Sequence, residues 1–288
     1  MSAPPRTAVV GAGRLARALA PALVAAGHGP VRVLSPGGRS ARALARGRRG
    51  ISASPLTETL PDHVRLVLLA VPDDRIAETA RALAASGVSW RRRVVLHTSG
   101  ALGVSPLAPL AQRGASVGVL HPLHVFGPSG GAAPKGTLCR VEGRRAARLA
   151  RDLGWVPVAV PRPALYHAAA SLASNDVVAL LDLAAAALVR AGMPRARAWK
   201  GALALAEGAL AQARKGGIPA ALTGPASRGD ARTVGRQVRA LRRFPLASLA
   251  HGTLSMQLVQ LAVSLGRLDP AGRKSVERAL APVARSRT

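Results

Sequence analysis

A chain of 288 residues is long enough for one large domain or two medium ones, and 49% hydrophobic residues with only 2% aromatics call for a core of Ala, Leu and Val. The formal charge of +28, from 41 Lys+Arg against 13 Asp+Glu, raises nucleic acid or another anion as a partner. The cations are nearly all Arg, however, and are scattered apart from short runs such as Arg91-Arg92-Arg93. Without aromatics there is no stacking platform for single strands, so nucleic-acid binding is not expected. Cys139 is the single cysteine, which excludes an internal disulfide and fits a reducing compartment. No apolar run approaches the ~20 residues of a membrane span, and Arg14 and Arg17 interrupt the N-terminal apolar stretch. A soluble, cytoplasmic protein is the expectation.

The first half reads as alternating strands and helices. Ala8-Val9-Val10 is a buried-strand pattern that runs into Gly11-Ala12-Gly13-Arg14-Leu15-Ala16, then into a helix through Leu19 and Leu23 that stops at Gly27. A second strand covers Val31 to Leu34. This is a βαβ unit with a dinucleotide fingerprint. Gly11 allows the tight turn, Gly13 lets a pyrophosphate approach the backbone at the helix N-terminus, and Ala16 is small enough for the helix to pack on the strand. An ordinary Gly turn is the plainer alternative. After the second strand, Ser35-Pro36-Gly37-Gly38-Arg39-Ser40 contains no carboxylate for ribose hydroxyls. Ser35, Arg39 and Ser40 suit a 2′-phosphate instead, favouring NADP over NAD.

Further strands are expected at Val64–Val71, Val94–Leu96, Val117–Leu120, Thr137–Val141 and Trp155–Val160. The first ends at Pro72-Asp73-Asp74, with a carboxylate placed to cap the next helix. Ligands of open parallel sheets bind outside the carboxyl ends of the strands. The segments at Gly11, Val71-Pro72, His97-Thr98-Ser99-Gly100 and His121-Pro122 therefore should converge on one crevice.

Pro161-Arg162-Pro163 marks the expected junction, giving domains 1–161 and 162–288. The second half is helical: Ala164–Val189, Ala198–Lys215, Thr233–Arg243 and Leu246–Leu268. The expected fold is α/β, a Rossmann-type mostly parallel sheet with helices on both faces, followed by an all-α domain. His167, Ser171 and Asn175, spaced by four, would share one helix face. The longest interruption is Leu222–Val234, "LTGPASRGDARTV", in which Asp230 can cap the following helix. Thr223, Ser227 and Arg228, presented from a turn expected to face the crevice, are substrate-binding candidates, Arg228 for a carboxylate.

His121 with Ser99 is the constellation richest in chemistry. Hydride transfer to a carbonyl needs a proton source, which a histidine can supply, while a hydroxyl orients it or holds the substrate. A turn beginning at His121-Pro122 is the competing reading. His97 is a further substrate-binding candidate, and His167 and Asn175 are further catalytic candidates. His124 reads as structural and Cys139 as an inert core residue. No metal-ligand spacing is present.

The motifs "VVGAGRLARAL", "AVPDDRI", "LHTSGAL", "VLHPLHVF", "YHAAASLASN" and "ALTGPASRGDARTV" make the chain resemble bacterial two-domain proteins of unknown function. These have an N-terminal Rossmann-like domain and a C-terminal helical domain, in the superfamily around 6-phosphogluconate dehydrogenase, ketopantoate reductase and prephenate dehydrogenase. Gln237 departs from the pattern, standing where a histidine is expected, and Trp199-Lys200 stand where apolar residues are expected. The resemblance implies an NADP-dependent reductase or dehydrogenase, a homodimer formed through the helical domain, and a small anionic substrate. It also implies His121 and Ser99 as proton donor and partner, and ketopantoate as the first substrate to test. An NADP-binding regulator without catalysis is the alternative.

Overall fold

The computed structural model describes residues 6–58 and 60–285. The chain divides into two compact units, residues 1–171 and 172–288, so the division falls ten residues beyond the junction read from the prolines.

Unit 1 is built on an eight-stranded sheet with the order β3-β2-β1-β4-β5-β6-β7-β8. In chain order the strands are β1 (Thr7–Val10), β2 (Val31–Ser35), β3 (Ile51–Pro55), β4 (Leu66–Leu69), β5 (Val94–His97), β6 (Ser116–Pro122), β7 (Leu138–Glu142) and β8 (Val156–Val158). The β1 strand pairs in parallel with both β2 and β4, so the strand order reverses direction there. That reversal is where ligands of such sheets bind. Two findings go beyond the sequence pattern. The β3 strand, "ISASP", is an edge strand whose short apolar–polar alternation has only one large aliphatic residue, Ile51, to announce it. The β7 strand runs antiparallel to β6, with His121 opposite Arg140 and Pro122 opposite Cys139.

Successive residues of a strand face opposite sides of the sheet. Val9 therefore packs with Leu19 and Leu23 of α1 (Arg14–Leu23) and with Leu44 of α2 (Arg39–Ala45) on one face. Val10 packs with Ile76 and Leu83 of α3 (Asp73–Ala84) and Leu110 of α4 (Ala108–Gln112) on the other. The first face also takes Leu149 of α5 (Arg144–Asp152). Each fully buried Leu or Ile contributes roughly 1.5–3 kcal/mol, which pins the glycine-bearing turns at the strand ends. The expected carboxylate cap on α3 is not made: its N-cap is Pro72, and Asp73 turns to another partner described below.

Helix α6 (Pro163–Ala173) begins at the proline-rich junction. It ends one residue before Ser174, whose φ/ψ of −133°/−73° interrupts the helix, and α7 (Asn175–Arg190) restarts beyond it. The single helix expected over Ala164–Val189 is thus two, and Asn175 does not continue the face of His167 and Ser171. In unit 2, α8 (Arg195–Ala221) continues past Lys215 and kinks at Gly216 and Gly217, where φ reaches −145° and +66°. Helices α9 (Ala231–Leu241), α10 (Pro245–Ser264) and α11 (Pro270–Arg285) bury Val234, Val238, Val259, Val276 and Leu280 against one another.

Two stretches, 163–190 taken through its break and 245–264, are long and apolar enough to cross a membrane by length and composition, with 6% and 22% of their apolar windows buried. That corrects the expectation that no run approaches a span. The only charged residues from Ala164 to Val189, Asp176 and Asp182, are too few to lower the mean hydropathy of the first stretch below 1.7.

Candidate functional site

The glycine turn after β1 has the geometry its sequence requires. Gly11 adopts φ +111°, and a Cβ there would lie 2.2 Å from the Ala70 carbonyl oxygen at the end of β4. Its N–H donates to the Leu34 carbonyl oxygen (2.8 Å), which ties the turn to β2. Gly13 is the N-cap of α1, has no side-chain cap, and has nothing within 4 Å of its Cβ direction. The first amides of α1 beside Arg14 and Leu15 are therefore uncapped by any side chain. Ala12 packs against the core and Ala16 is fully buried, as the third small position demands. Val71 lies beside Gly11, with its Cγ1 3.4 Å from where a Gly11 Cβ would stand, and Pro72 follows as the cap of α3. A backbone cradle that a Cβ would fill, next to an open helix N-terminus, fits a dinucleotide phosphate.

At the end of β2 the outcome is mixed. Arg39 and Ser40 are exposed in the first turn of α2, behind Gly38 at φ +71°. Arg42 donates to the Gly37 carbonyl oxygen (3.3 Å), adding a second guanidinium that the sequence reading missed. Ser35 is buried, and its hydroxyl accepts from the Ala41 N–H (3.2 Å). Its oxygen holds α2 in place, so Ser35 is corrected from a phosphate ligand to a structural residue.

The turn after β5 is a closed polar network. His97 is fully buried, with Nε2 2.8 Å from the Gly103 carbonyl oxygen and Nδ1 accepting from the Ser99 N–H (3.2 Å). A carbonyl can only accept and an N–H only donate, so the ring is neutral with its hydrogen on Nε2. Burial pushes its pKa down. With both nitrogens spent, His97 cannot bind a substrate, contrary to expectation. Ser99 is spent as well. Its hydroxyl donates to Asp73 Oδ2 (2.6 Å) and accepts from the Ala101 and Leu102 N–H groups (both 3.1 Å). One donor and two lone pairs are all a hydroxyl has, so Ser99 shapes the turn and does not orient His121.

What accompanies His121 is a residue the sequence reading quoted within a motif and gave no role. Tyr166 of α6 places its hydroxyl 3.0 Å from His121 Nδ1, with the rings edge-to-face at 5.5 Å. His167 stands on the other side, 5.9 Å from His121 between ring centroids. A Cβ on Gly100 would lie 2.6 Å from His167 Nδ1 and 2.9 Å from His121 Nε2, so only glycine lets the imidazoles approach this turn. Burial, then the neighbouring His167 and Arg140, lower the His121 pKa to about 4. Burial raises the Tyr166 hydroxyl to about 12. At neutral pH the pair is therefore an unprotonated imidazole and a protonated phenol.

Beneath them lies Arg140, only 2% exposed. It donates through Nη1 to the Leu102 and Ser99 carbonyl oxygens (3.0 and 3.4 Å), and through Nη2 to Glu142 Oε2 (3.3 Å). The neighbouring Cys139 is fully buried and its thiol is pushed up to about 12, in keeping with an inert core residue. His124 packs edge-to-face on Phe126. No group of three metal-ligating side chains occurs among the described residues.

In unit 2, the loop before α9 forms around glycines at φ +101° (Gly224) and +78° (Gly229). Asp230 caps α9 by accepting from the Thr233 N–H (3.0 Å), as its position in the sequence implies. That amide, first among its partners, lowers the carboxyl pKa. Ser227 is buried and donates to the Gly224 carbonyl oxygen (3.0 Å), so it braces the loop and is corrected from a substrate contact. Thr223 and Arg228 are exposed, as is Asn175, the first residue of α7. A cavity of about 290 Å³ is lined by Leu183, Thr223, Gly224, Gln237, His251 and Leu254, among others. Gln237 Oε1 and His251 Nε2 are buried without hydrogen-bond partners.

Residues 3–122 match the family model of a Rossmann-like domain, and residues 139–257 match a domain of unknown function, DUF2520. The second match opens on β7, so it takes in Arg140 and Tyr166 together with α7, α8, α9 and part of α10. No curated protein matches the chain in sequence. Among solved structures, a candidate NADP oxidoreductase from Bacteroides fragilis is 22% identical with a TM-score of 0.70, covering 89% of this chain and 98% of its own. A protein from Thermotoga maritima is 22% identical with a TM-score of 0.68, covering 91% and 100%. A reductive aminase from Aspergillus terreus, in complex with NADPH4, cyclohexanone and allyl amine, is 15% identical with a TM-score of 0.55, covering 98% and 94%. At these identities the likeness is one of fold.

Proposed function

Taking a Rossmann-like domain joined to a DUF2520 domain as the premise, we propose that the protein is an NADP(H)-dependent oxidoreductase. Its reaction is reduction of a small oxo acid, or oxidation of the corresponding hydroxy acid, with a ketopantoate-like compound the first to test. The observation that carries this reading is the Tyr166 hydroxyl seated 3.0 Å from His121 Nδ1 at a carboxyl end of the sheet that also bears the Gly11–Gly13 turn. The α1 N-terminus would hold the pyrophosphate and Arg39, with Arg42 beside it, a 2′-phosphate. A reduced nicotinamide, when bound there, would supply the hydride.

The chain's own groups manage the proton. As the carbonyl carbon gains hydride, its π electron pair moves to oxygen, and that oxygen takes the Tyr166 proton. The phenolate is then reprotonated by the His121 tautomer carrying hydrogen on Nδ1, while Nε2 gains a proton from solvent. Assigning the donor to Tyr166 rather than His121 follows from acidity: an imidazole with a pKa of about 4 holds no spare proton at neutral pH. A second reading, reduction of an imine carbon, is supported by the fold shared with a reductive aminase. The apolar exposed helices of 163–190 and 245–264 suit a homodimer.

NADPH fluorescence titration together with turnover on a panel of 2-oxo acids and cyclic imines tests the proposal. Tyr166→Phe should lower turnover by about 10²–10⁴-fold with cofactor affinity unchanged. Absence of binding to either NADPH or NADH would end the reading. Binding with no turnover on any substrate, unaltered by His121→Ala, would favour a cofactor-sensing regulator.

A further inference from the structure

Arg140 is a charged side chain placed where charge is expensive. It is almost fully buried, on the strand that runs antiparallel to β6, directly across from His121 in the pairing register. Removing a guanidinium from water is costly unless its donors are matched, and here Nη1 and Nη2 are matched while Nε has no partner. One arm ties together the carbonyls of Ser99 and Leu102, and the other meets Glu142, whose side chain is 43% exposed. A leucine or methionine could fill the same volume without a charge. Something at this position uses the charge itself.

We propose that Arg140 is the electrostatic positioning residue of the Tyr166–His121 pair. Its fixed positive charge, held across the β6–β7 pairing from His121, adds to burial in disfavouring the imidazolium and stabilises the phenolate left when Tyr166 gives up its proton. This rests on the proposed reductase reading, and it adds a residue that touches neither the substrate nor the cofactor. Several groups face His121 from the elements around it. Tyr166 and His167 come from α6, Asp73 from α3, and Arg140 and Cys139 from β7, while the neutral His97 stands on β5. Of these, Arg140 is the one permanent cation. Asp73 is the opposing anion, and part of its charge is engaged by the Ser99 hydroxyl. The same guanidinium acts on Tyr166 in the opposite sense to burial, lowering the cost of the phenolate. One cation thus makes the imidazole a weaker base and the phenol easier to ionise, which are the two properties a Tyr-to-substrate proton transfer needs.

The test is NMR titration of the His121 imidazole in the full-length protein, run beside the pH profile of kcat. Arg140→Gln removes the charge, and the His121 midpoint should rise from about 4, while burial, the larger cause, keeps it below 6.5. In the same variant kcat should fall by about 10- to 100-fold with the NADPH dissociation constant unchanged. Arg140→Lys keeps the charge but loses the fork, and its His121 midpoint should stay near that of the parent. Near-ultraviolet dichroism reports whether each variant is folded. If Arg140→Gln unfolds, Arg140→Met combined with Glu142→Gln leaves no unpaired charge behind and should show the same rise. An unmoved His121 midpoint in a folded, charge-free variant overturns the proposal, as does a rise of equal size in Arg140→Lys. Failure of the parent protein to bind NADPH leaves the titration readable, so that outcome counts against the reductase reading and not against Arg140.

Discussion

The two units differ in how they hold their polar side chains and how much apolar surface they leave uncovered. In unit 1 the groups that bear chemistry are tied to named partners: His97 to Gly103 and Ser99, Ser99 to Asp73 and the following amides, Arg140 to two carbonyls and Glu142. In unit 2 the helices expose large apolar residues such as Leu172, Leu205 and Leu246, and Gln237 and His251 each keep a buried polar atom without a partner. Orphaned atoms occur in unit 1 as well, on the guanidinium groups of Arg32, Arg48, Arg93 and Arg140, whose Nε has no partner. The hydrogen bonds that are made nonetheless tie the polar groups around His121 to fixed partners, and that is what proton transfer over 3 Å requires. The uncovered apolar faces of unit 2 instead mark surfaces completed by something else.

Substitutions can break that contrast. The largest effect is expected from Gly11→Ala. A methyl group would sit 2.2 Å from a backbone oxygen at φ +111°, where no side-chain movement gives relief. A cost of about 3 kcal/mol or more is expected, with a lower melting temperature in calorimetry and loss of NADPH binding by fluorescence. Next is acid. His121 has a folded pKa of about 4 against an unfolded value near 6.5, and His97 is also lowered. The unfolded chain thus binds more protons in this window. Stability is insensitive to these groups above about pH 6.5 and is lost as the pH falls from there towards 4. Urea midpoints between pH 7 and 4 should follow that slope in the parent and flatten in His121→Gln. The smallest effects come from a contrasting pair. Ser99→Ala leaves Asp73 and two amides without their hydroxyl and should destabilise by about 1–3 kcal/mol, whereas Gln237→Leu removes an orphaned acceptor and should stabilise by about 1 kcal/mol. Equal signs in chemical denaturation would erase the distinction between the units.

What was legible in the sequence was local. Gly11, Gly13 and Ala16 announce themselves because the turn tolerates nothing larger, and Asp230 because a cap acts three residues away. What escaped was non-local. The break at Ser174 falls on a Ser-Asn-Asp run, a helix-cap signal masked by the apolar pattern on either side. The short edge strand β3 alternates but has only Ile51 as a large apolar residue apart from its final proline. The reversed pairing of β7 is fixed by residues 17 to 23 positions away in β6. Ser99 and His97 are the right residue types beside the right strand end, but only coordinates show that their hydrogen-bonding capacity is exhausted. Tyr166 stood in view within "YHAAASLASN" and gained meaning only once its hydroxyl was found against His121.

The antiparallel pairing of β6 with β7 has one more consequence, for how the gene can vary. The position of Arg140 depends on the ladder Val119–Glu142 to Pro122–Cys139, not on the length of the connection 123–137. Insertions and deletions in that connection are therefore cheap. One residue added within β7 ahead of Arg140 would turn the guanidinium to the opposite face of the sheet and bring its neighbour into register with His121. Length variation should gather in the connection and be purged from the strand.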